Sequence, residues 1–208
     1  MGKVTISGGR VDMKKPDSLP SGYTKLEYIE STGTQYINTQ FKPNQNTRVV
    51  MDAQMIGTVT SGVNPAYFAC CNPPTYFRCI KGSSAMTLNW EYGTTYNLGW
   101  AMGSTGFNRR RIIDANGRSC TIDGTTQSYS AQTFQINYPI YLLADNTAGT
   151  TSYFASARLY SCQIYDNGTL IRDFVPCADT SGNIGVYDLV NKQFYTNAGS
   201  GAFIGSEV

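Results

Sequence analysis

Residues 159–175, which read LYSCQIYDNGTLIRDFV, decide the fold. Two runs rich in aromatic and branched residues flank Asn167-Gly168, and an Asn-Gly pair in this position is typical of a two-residue type I′ hairpin turn. The register that follows from this turn pairs Tyr165 with Leu170, Ile164 with Ile171 and Cys162 with Asp173. The segment therefore predicts a long antiparallel hairpin.

A second hairpin is predicted over residues 110–122. Its two strands are joined by Ala115-Asn116-Gly117, and another turn signal, Asp123-Gly124, follows them. Short strand candidates and turns continue along the rest of the chain, and long helical periodicity is absent. With 21 Gly and 15 Tyr in 208 residues, we expect an all-β domain over residues 23–208, with two antiparallel sheets packed face to face.

The first 22 residues are predicted to form an arm outside this domain. Pro16 and Pro20 interrupt regular strand pairing. The segment could form a small hairpin that docks on a partner, or it could be an unattached tail, which is common at chain ends. The residues that would dock are Lys3, Val4, Ile6, Arg10, Val11 and Met13.

The charge balance disfavours two classes of partner. The chain has 16 Lys and Arg against 14 Asp and Glu, and residues 1–22 hold the whole excess. A neutral body lacks the basic field that nucleic-acid binding requires, and no segment has the length and apolar character of a membrane helix or a signal peptide. We therefore expect the protein to bind neither nucleic acid nor a membrane, and to be made in the cytoplasm.

Six cysteines raise the question of disulfides. The predicted hairpin register places Cys177 opposite Arg158, several residues out of step with Cys162, which is too far for the short Cβ separation of a disulfide. We expect free, mostly buried thiols. A zinc site is not expected either, because adjacent Cys70 and Cys71 would point to opposite faces of a strand.

Two segments resemble a known family. Residues 19–37, LPSGYTKLEYIESTGTQYI, resemble the opening of concanavalin A-like, or laminin G-like, lectin/glucanase domains that phages and prophages of gut bacteria encode in their structural proteins. Residues 157–177, with 186–201, are similar to the closing hairpin and final strands of those domains. The resemblance implies a jelly-roll sandwich on the surface of a virion. Residues 1–18 lie outside the resemblance, and we expect the arm to attach the sandwich to other virion proteins.

The resemblance also raises the possibility of an enzyme, because glucanases share this fold. Their chemistry uses two carboxylates, usually on one strand as Glu-x-Asp-x-Glu. The four glutamates, Glu27, Glu30, Glu91 and Glu207, do not form that motif, and the chain has no histidine. We therefore expect a non-enzymatic protein that binds host or environmental glycans, with a purely structural decoration protein as the alternative.

Aromatic residues in the middle of the chain are the candidates for glycan binding. Sugar rings stack on aromatic faces, while amides, carboxylates and guanidinium groups bind hydroxyl and anionic groups. The candidates are Trp90, Glu91, Tyr92, Tyr96, Trp100, Asn108, Arg109 and Arg111. The alternative is that the aromatic rings fill the core, and that strand alternation sends Arg109 and Arg111 to solvent on one side of the strand and Arg110 to the other.

Calcium is common in this fold, and four residues have suitable oxygen ligands: Asp114, Asn116, Asp145 and Asn146. Such residues are equally typical of plain turns. Without a dense ligand loop, we expect neither a metal nor another cofactor.

Overall fold

The computed structural model describes residues 18–57, 62–82, 86–102 and 106–207. Within these ranges the chain forms β-strands that assemble into two sheets, which confirms the predicted all-β sandwich. The arm residues predicted to dock, Lys3, Val4, Ile6, Arg10, Val11 and Met13, lie outside the described residues. In the described ranges no helix is long and apolar enough to cross a membrane.

The first sheet, sheet A, has ten strands. Its order is β10-β9-β8-β3-β14-β1-β15-β16-β17, and β18 also pairs with β1. The strands are β1 (Thr24–Thr32), β3 (Thr47–Met55), β8 (Arg111–Asn116), β9 (Ser119–Ile122), β10 (Thr125–Ser128), β14 (Ser156–Asp166), β15 (Thr169–Ala178), β16 (Ile184–Asp188), β17 (Gln193–Thr196) and β18 (Ile204–Glu207).

The second sheet, sheet B, has eight strands. Its order is β13-β12-β4-β5-β6-β7, and β11 pairs with both β2 and β4. The strands are β2 (Ile37–Asn38), β4 (Ala66–Asn72), β5 (Thr75–Lys81), β6 (Thr87–Gly93), β7 (Thr95–Ala101), β11 (Tyr141–Leu142), β12 (Asp145–Thr147) and β13 (Thr150–Ser152). The β4–β12 pair is parallel, an exception to the antiparallel pairing that we predicted.

The core lies between the two sheets. Strand β3 shows how the sequence builds it, because its alternate residues Val49, Met51, Ala53 and Met55 have no exposed surface. The intervening residues face outward, as the two-residue period of a strand requires. Sheet B contributes a set of aromatic side chains that includes Phe68, Phe77 and Trp90.

Both predicted hairpins form, with one register error. Tyr165 pairs with Leu170 as predicted, and Asn167 and Gly168 have φ values of 48° and 80°, as a type I′ turn requires. A bulge then shifts the pairing, so that Ile164 faces Arg172 rather than Ile171, and Cys162 faces Phe174 rather than Asp173. The bulge places apolar Phe174, and not the carboxylate of Asp173, opposite Cys162 in the core.

All six cysteines fall within the described ranges, and all are buried without a disulfide. The reason that we gave for Cys177 is wrong in detail. It pairs with Lys25 rather than lying opposite Arg158, because β1 runs between β14 and the end of β15. Cys162 and Cys177 accordingly belong to separate apolar clusters.

The predicted boundary at residue 22 is close to the first strand, which begins at Thr24. Leu19, which we assigned to the arm, packs with Tyr23 against a small cluster formed by Cys177, Tyr187 and Leu189. The described end of the arm therefore contacts the sandwich.

Candidate functional site

Three of the predicted sugar-stacking rings belong to the core. Trp90 has no exposed surface and packs on Phe77 with ring centroids 4.9 Å apart, while Tyr92 is 2% and Trp100 7% exposed. Strand alternation turns all three rings toward sheet A, and a ring without an exposed face cannot stack on a sugar. The prediction that Trp90, Tyr92 and Trp100 form a stacking platform is therefore wrong.

Glu91 and Tyr96 lie on the opposite side of sheet B. Tyr96 is 60% exposed and meets Tyr76 edge to face, with centroids 6.2 Å apart. Glu91 is 6% exposed, and its Oε2 accepts a 2.7 Å hydrogen bond from Nε of Arg78. Of this predicted group, only Tyr96 therefore offers an aromatic ring to solvent, while the Glu91 carboxylate is held by an arginine.

The three consecutive arginines have different environments. Arg111 shares its side of β8 with Ile113 and Ala115, so its side chain points into the sandwich and is 1% exposed. Arg110 lies on the outer face of sheet A, where it binds Asp52 and stacks on Tyr160. The alternation that we predicted, with Arg111 in solvent, is wrong, because β8 begins at Arg111 and its inward positions are 111, 113 and 115.

A cleft opens where the last strands of the two sheets meet. Strand β7 ends sheet B and β10 ends sheet A, and Trp100 Nε1 joins them by donating to Thr125 O at 3.1 Å. Gln127 Nε2 makes a second link to Gly99 O at 3.0 Å. We call this feature the edge cleft. Its volume is about 580 Å³, and its lining includes Gly99, Trp100, Arg109, Arg111, Asp123 and Gln127.

The charged groups of the edge cleft are two guanidinium groups and one carboxylate. Arg111 Nη1 donates to Asp123 Oδ2 at 3.0 Å, and Arg109 Nη2 pairs with the same oxygen from a position that is 63% exposed. Asp123 is placed between them by the Asp123-Gly124 turn, whose φ values are 50° and 81°. The cleft therefore carries an excess of one positive charge.

Arg111 is held by several groups inside the sandwich. Its Nη1 contacts Met102 Sδ at 3.1 Å, its Nη2 binds Gly106 O, and its charge acts on the buried Tyr67 phenol, while its Nε has no hydrogen-bond partner among the residues that the structure describes. The guanidinium group of Arg111 is therefore anchored inside the sandwich, and the exposed guanidinium group of Arg109 is the one that a ligand can reach directly. The chemistry of the cleft suits an anionic or hydroxyl-rich ligand.

Only part of this site was predicted from the sequence. Trp100, Arg109 and Arg111 were predicted and line the edge cleft, whereas Asn108 is exposed outside its lining and accepts from Gln54 at 3.2 Å. Asp123 and Gln127 were missed as site residues. The Asp123-Gly124 turn was visible in the sequence, but its position opposite β7 depends on packing between strands of different sheets.

The four candidate calcium ligands do not converge. Asp114 binds Arg48 at 2.7 Å, Asp145 binds Arg78 at 3.0 Å, and Asn146 donates to Pro139 O at 3.0 Å. In the described part of the chain, no group of three or more His, Cys, Asp or Glu residues is arranged to hold a metal ion.

No family model matches the sequence, and no curated protein matches it.

Proposed function

We propose that the protein is a non-catalytic, carbohydrate-binding β-sandwich carried on the surface of a bacteriophage particle, and that it binds anionic saccharides in the edge cleft. The observation that carries the proposal is the exposed guanidinium group of Arg109, which together with the buried Arg111 outnumbers the single carboxylate of the cleft, Asp123. Guanidinium groups match the geometry of carboxylates and phosphates, which are the anionic groups of acidic polysaccharides and teichoic acids.

The uncharged groups of the cleft fit the same ligand class. Gln127 uses its Nε2 to hold Gly99 O, and the other end of the amide can accept from a sugar hydroxyl. Gly99 has no side chain, which leaves room over the sheet beside it. Trp100 closes one side of the cleft with a ring that is mostly buried, so its contribution is to shape the cleft.

The resemblance supports the location on a virion. Residues 19–37 and 157–201 resemble structural proteins of phages, and the sandwich agrees with that resemblance. The excess of basic residues in 1–22 suits docking on an acidic surface of another virion protein. A decoration protein without glycan binding is the second candidate, because the same arm and sandwich would serve it.

The carboxylates support a non-catalytic role. Glu91 lies between Trp90 and Tyr92 in the sequence. On the outer face of sheet B, Arg78 binds its carboxylate through a 2.7 Å hydrogen bond. A retaining or inverting glycosidase needs two carboxyl groups free to reach one glycosidic bond. Incubation with β-glucans and bacterial surface polysaccharides should release no reducing ends, and turnover that Glu91→Gln abolishes would establish a hydrolase.

Binding to the cleft can be tested with Arg109→Gln, because Arg109 is exposed and its loss should not disturb the core. We expect polygalacturonate and lipoteichoic acid to bind and neutral dextran not to bind, as measured by calorimetry. Loss of one charge-assisted contact, worth about 1.5–3 kcal/mol, should weaken binding roughly tenfold to a hundredfold. Lys25→Gln removes an exposed charge on β1 and serves as the matched control.

Two results would contradict the proposal. Equal binding by Arg109→Gln and Lys25→Gln would show that the edge cleft is not the site. Normal adsorption to host cells by particles that lack the protein would favour the decoration role. Deletion of residues 1–18 tests the arm separately, because the truncated protein should fold but no longer assemble on particles.

A further inference from the structure

A second polar groove lies at one end of the sandwich, where three turns meet. It is formed by the loop before β3, the β8–β9 turn and the β14–β15 turn, and its volume is about 480 Å³. We call it the turn groove. Its lining includes Gln45, Asn46, Tyr92, Asn116, Arg118 and Asn167. A neighbouring depression of about 350 Å³ shares Gln45, Asn46 and Asn167 with it and adds Phe134.

Contacts between the turns hold the groove in shape. Asn46 Nδ2 donates to Asn167 Oδ1 at 2.8 Å, and Gly117 N donates to Thr47 O at 3.0 Å. Gly117 is required here, because its φ is 54° and a Cβ would lie 3.0 Å from Gln45 O. The far wall is fixed by Tyr92 Oη, which donates to the same carbonyl at 3.0 Å. The groove is thus preformed.

Arg118 is the unusual residue of the groove. Of the eight arginines in the described ranges, seven pair with a carboxylate within 4.0 Å and Arg118 does not. Its side chain is exposed, and its positive charge acts on the Tyr92 phenol, opposing the rise in pKa that burial causes there. An arginine without a partner beside a preformed groove is free to bind an anion.

The amides around Arg118 also keep unused hydrogen-bonding groups. Gln45 Oε1 accepts from Phe134 N at 3.1 Å, which leaves its Nε2 free to donate. Asn46 donates through Nδ2, which leaves its Oδ1 free to accept, and the exposed Asn116 side chain has no hydrogen bond to any described residue. The groove therefore presents both donors and acceptors at short spacing, as sugar hydroxyls require, since each hydroxyl donates and accepts.

The lining of the groove carries no negative charge. No Asp or Glu is among its lining residues. Asp166 precedes the turn, but its Oδ1 accepts from Asn44 Nδ2 at 2.8 Å and from Asn167 Nδ2 at 3.0 Å. The Asp166 carboxylate is thus held by two amides outside the lining, and no carboxylate of the lining itself would repel an anion bound to Arg118.

We propose that the turn groove is a second saccharide site, specific for a uronic acid, in which Arg118 binds the sugar carboxylate and the Gln45, Asn46 and Asn116 amides bind its hydroxyls. A guanidinium group donates two parallel hydrogen bonds to a carboxylate, and a neutral sugar has no group that can accept them in this geometry. The exposed part of Phe134 in the adjacent depression offers an apolar contact for the next sugar ring. The site uses none of the residues of the edge cleft.

The test is a titration of the full chain with trigalacturonic acid, followed by backbone amide resonances, with galactotriose as the neutral probe. We expect shifts at residues 45–46, 116–118 and 167–168 with the acid and much smaller shifts with the neutral sugar. Arg118→Gln should weaken this binding at least roughly tenfold, because it removes the carboxylate partner. Lys25→Gln and Arg109→Gln are the controls and should leave the shifts at the turn groove unchanged.

Several outcomes would overturn the inference. They are shifts that avoid the turn groove, equal affinities of Arg118→Gln and Lys25→Gln, and equal binding of the acidic and neutral trisaccharides at this groove. The edge cleft is judged separately, by shifts at Gly99, Thr125 and Gln127. A response at the cleft alone would overturn this inference and leave the proposed function standing, and a response at the groove alone would do the reverse.

Discussion

Arg78 Nη1 donates a 3.0 Å hydrogen bond to Oδ2 of Asp145, a carboxylate with no exposed surface. The same guanidinium binds Glu91 on its other side through Nε. Burial raises the pKa of both carboxyl groups, and the charge of Arg78 opposes that rise. One cation on β5 thus compensates two buried carboxylates, from β6 and β12.

Replacing Arg78 by Leu should destabilise the protein by about 3–5 kcal/mol near neutral pH, because two carboxylates would remain buried without a partner. Their pKa values would rise further above the ordinary 4.5 of Glu91 and 3.8 of Asp145. The folded state would then hold protons that the unfolded state releases, so stability is lost as the pH rises above those values. Urea denaturation at pH 4 and pH 7 should show the larger loss at pH 7.

The matched control is Arg48→Leu on the outer face of sheet A. Arg48 binds Asp114 at 2.7 Å, but both side chains are about one third exposed. Such a pair contributes roughly 0–1 kcal/mol, and its removal should change stability little at either pH. A loss for Arg78→Leu that is the same at both pH values would contradict the role given to the two carboxyl groups.

Trp90→Ala should cost about 3–5 kcal/mol, since it empties a fully buried site between Phe68 and Phe77. Tyr96→Ala removes an exposed ring and should cost less than about 1 kcal/mol. Chemical denaturation measures both changes. If Trp90→Ala were as well tolerated as Tyr96→Ala, the ring could not lie in the core.

The cysteines should be slow to react in the folded protein. Burial raises the pKa of Cys71 to about 11 and that of Cys177 to about 12, and the thiolate is the reactive form. At pH 8, a thiol reagent should therefore modify the native protein only as fast as the folded structure opens and exposes the buried thiols. Mass spectrometry after alkylation in denaturant without reductant should find six modified cysteines. A product with only four modified cysteines would reveal a disulfide.

Gly168→Ala tests the turn of the long hairpin. Gly168 has a φ of 80°, and nothing lies within 4 Å of a Cβ added there, so the cost should come from backbone strain alone. We expect a loss of about 1–2 kcal/mol in thermal unfolding. Asn167→Gly keeps the left-handed conformation available and is the control; it removes only the exposed hydrogen bonds of Asn167 with Asn46 and Asp166, so we expect a smaller loss than for Gly168→Ala. An unchanged melting temperature for Gly168→Ala would argue against a type I′ turn.

Local sequence signals predicted the strands and turns well. Asn167-Gly168 and Asp123-Gly124 lie where their φ preferences indicated, because a positive φ depends on few neighbours. The shift of one residue after Ile164 could not be predicted from the turn. It depends on Phe174 replacing Asp173 in the core, which is a property of the packed sheets.

The candidate site was harder to predict for the same reason. An aromatic cluster such as Trp90-Glu91-Tyr92 has the same sequence whether its rings face the core or solvent, and only the position of sheet A decides which side is buried. Arg111 was misplaced because a charged residue inside a sandwich is rare, and its partner Asp123 comes from a different turn. The turn groove was not predicted, because its three turns are distant in sequence.

The pairing of β1 with β18 places Leu26 directly opposite Glu207. Neighbouring antiparallel residues have Cα atoms roughly 4.5–5.5 Å apart, so the chain enters and leaves the sandwich through almost the same point. Such a domain could be spliced into a surface loop of a carrier protein without forcing the ends of that loop apart. The domain is also suited to circular permutation. A short linker would join these two ends, and the chain would be opened at a distant turn such as Gly182, so that every strand keeps its neighbours.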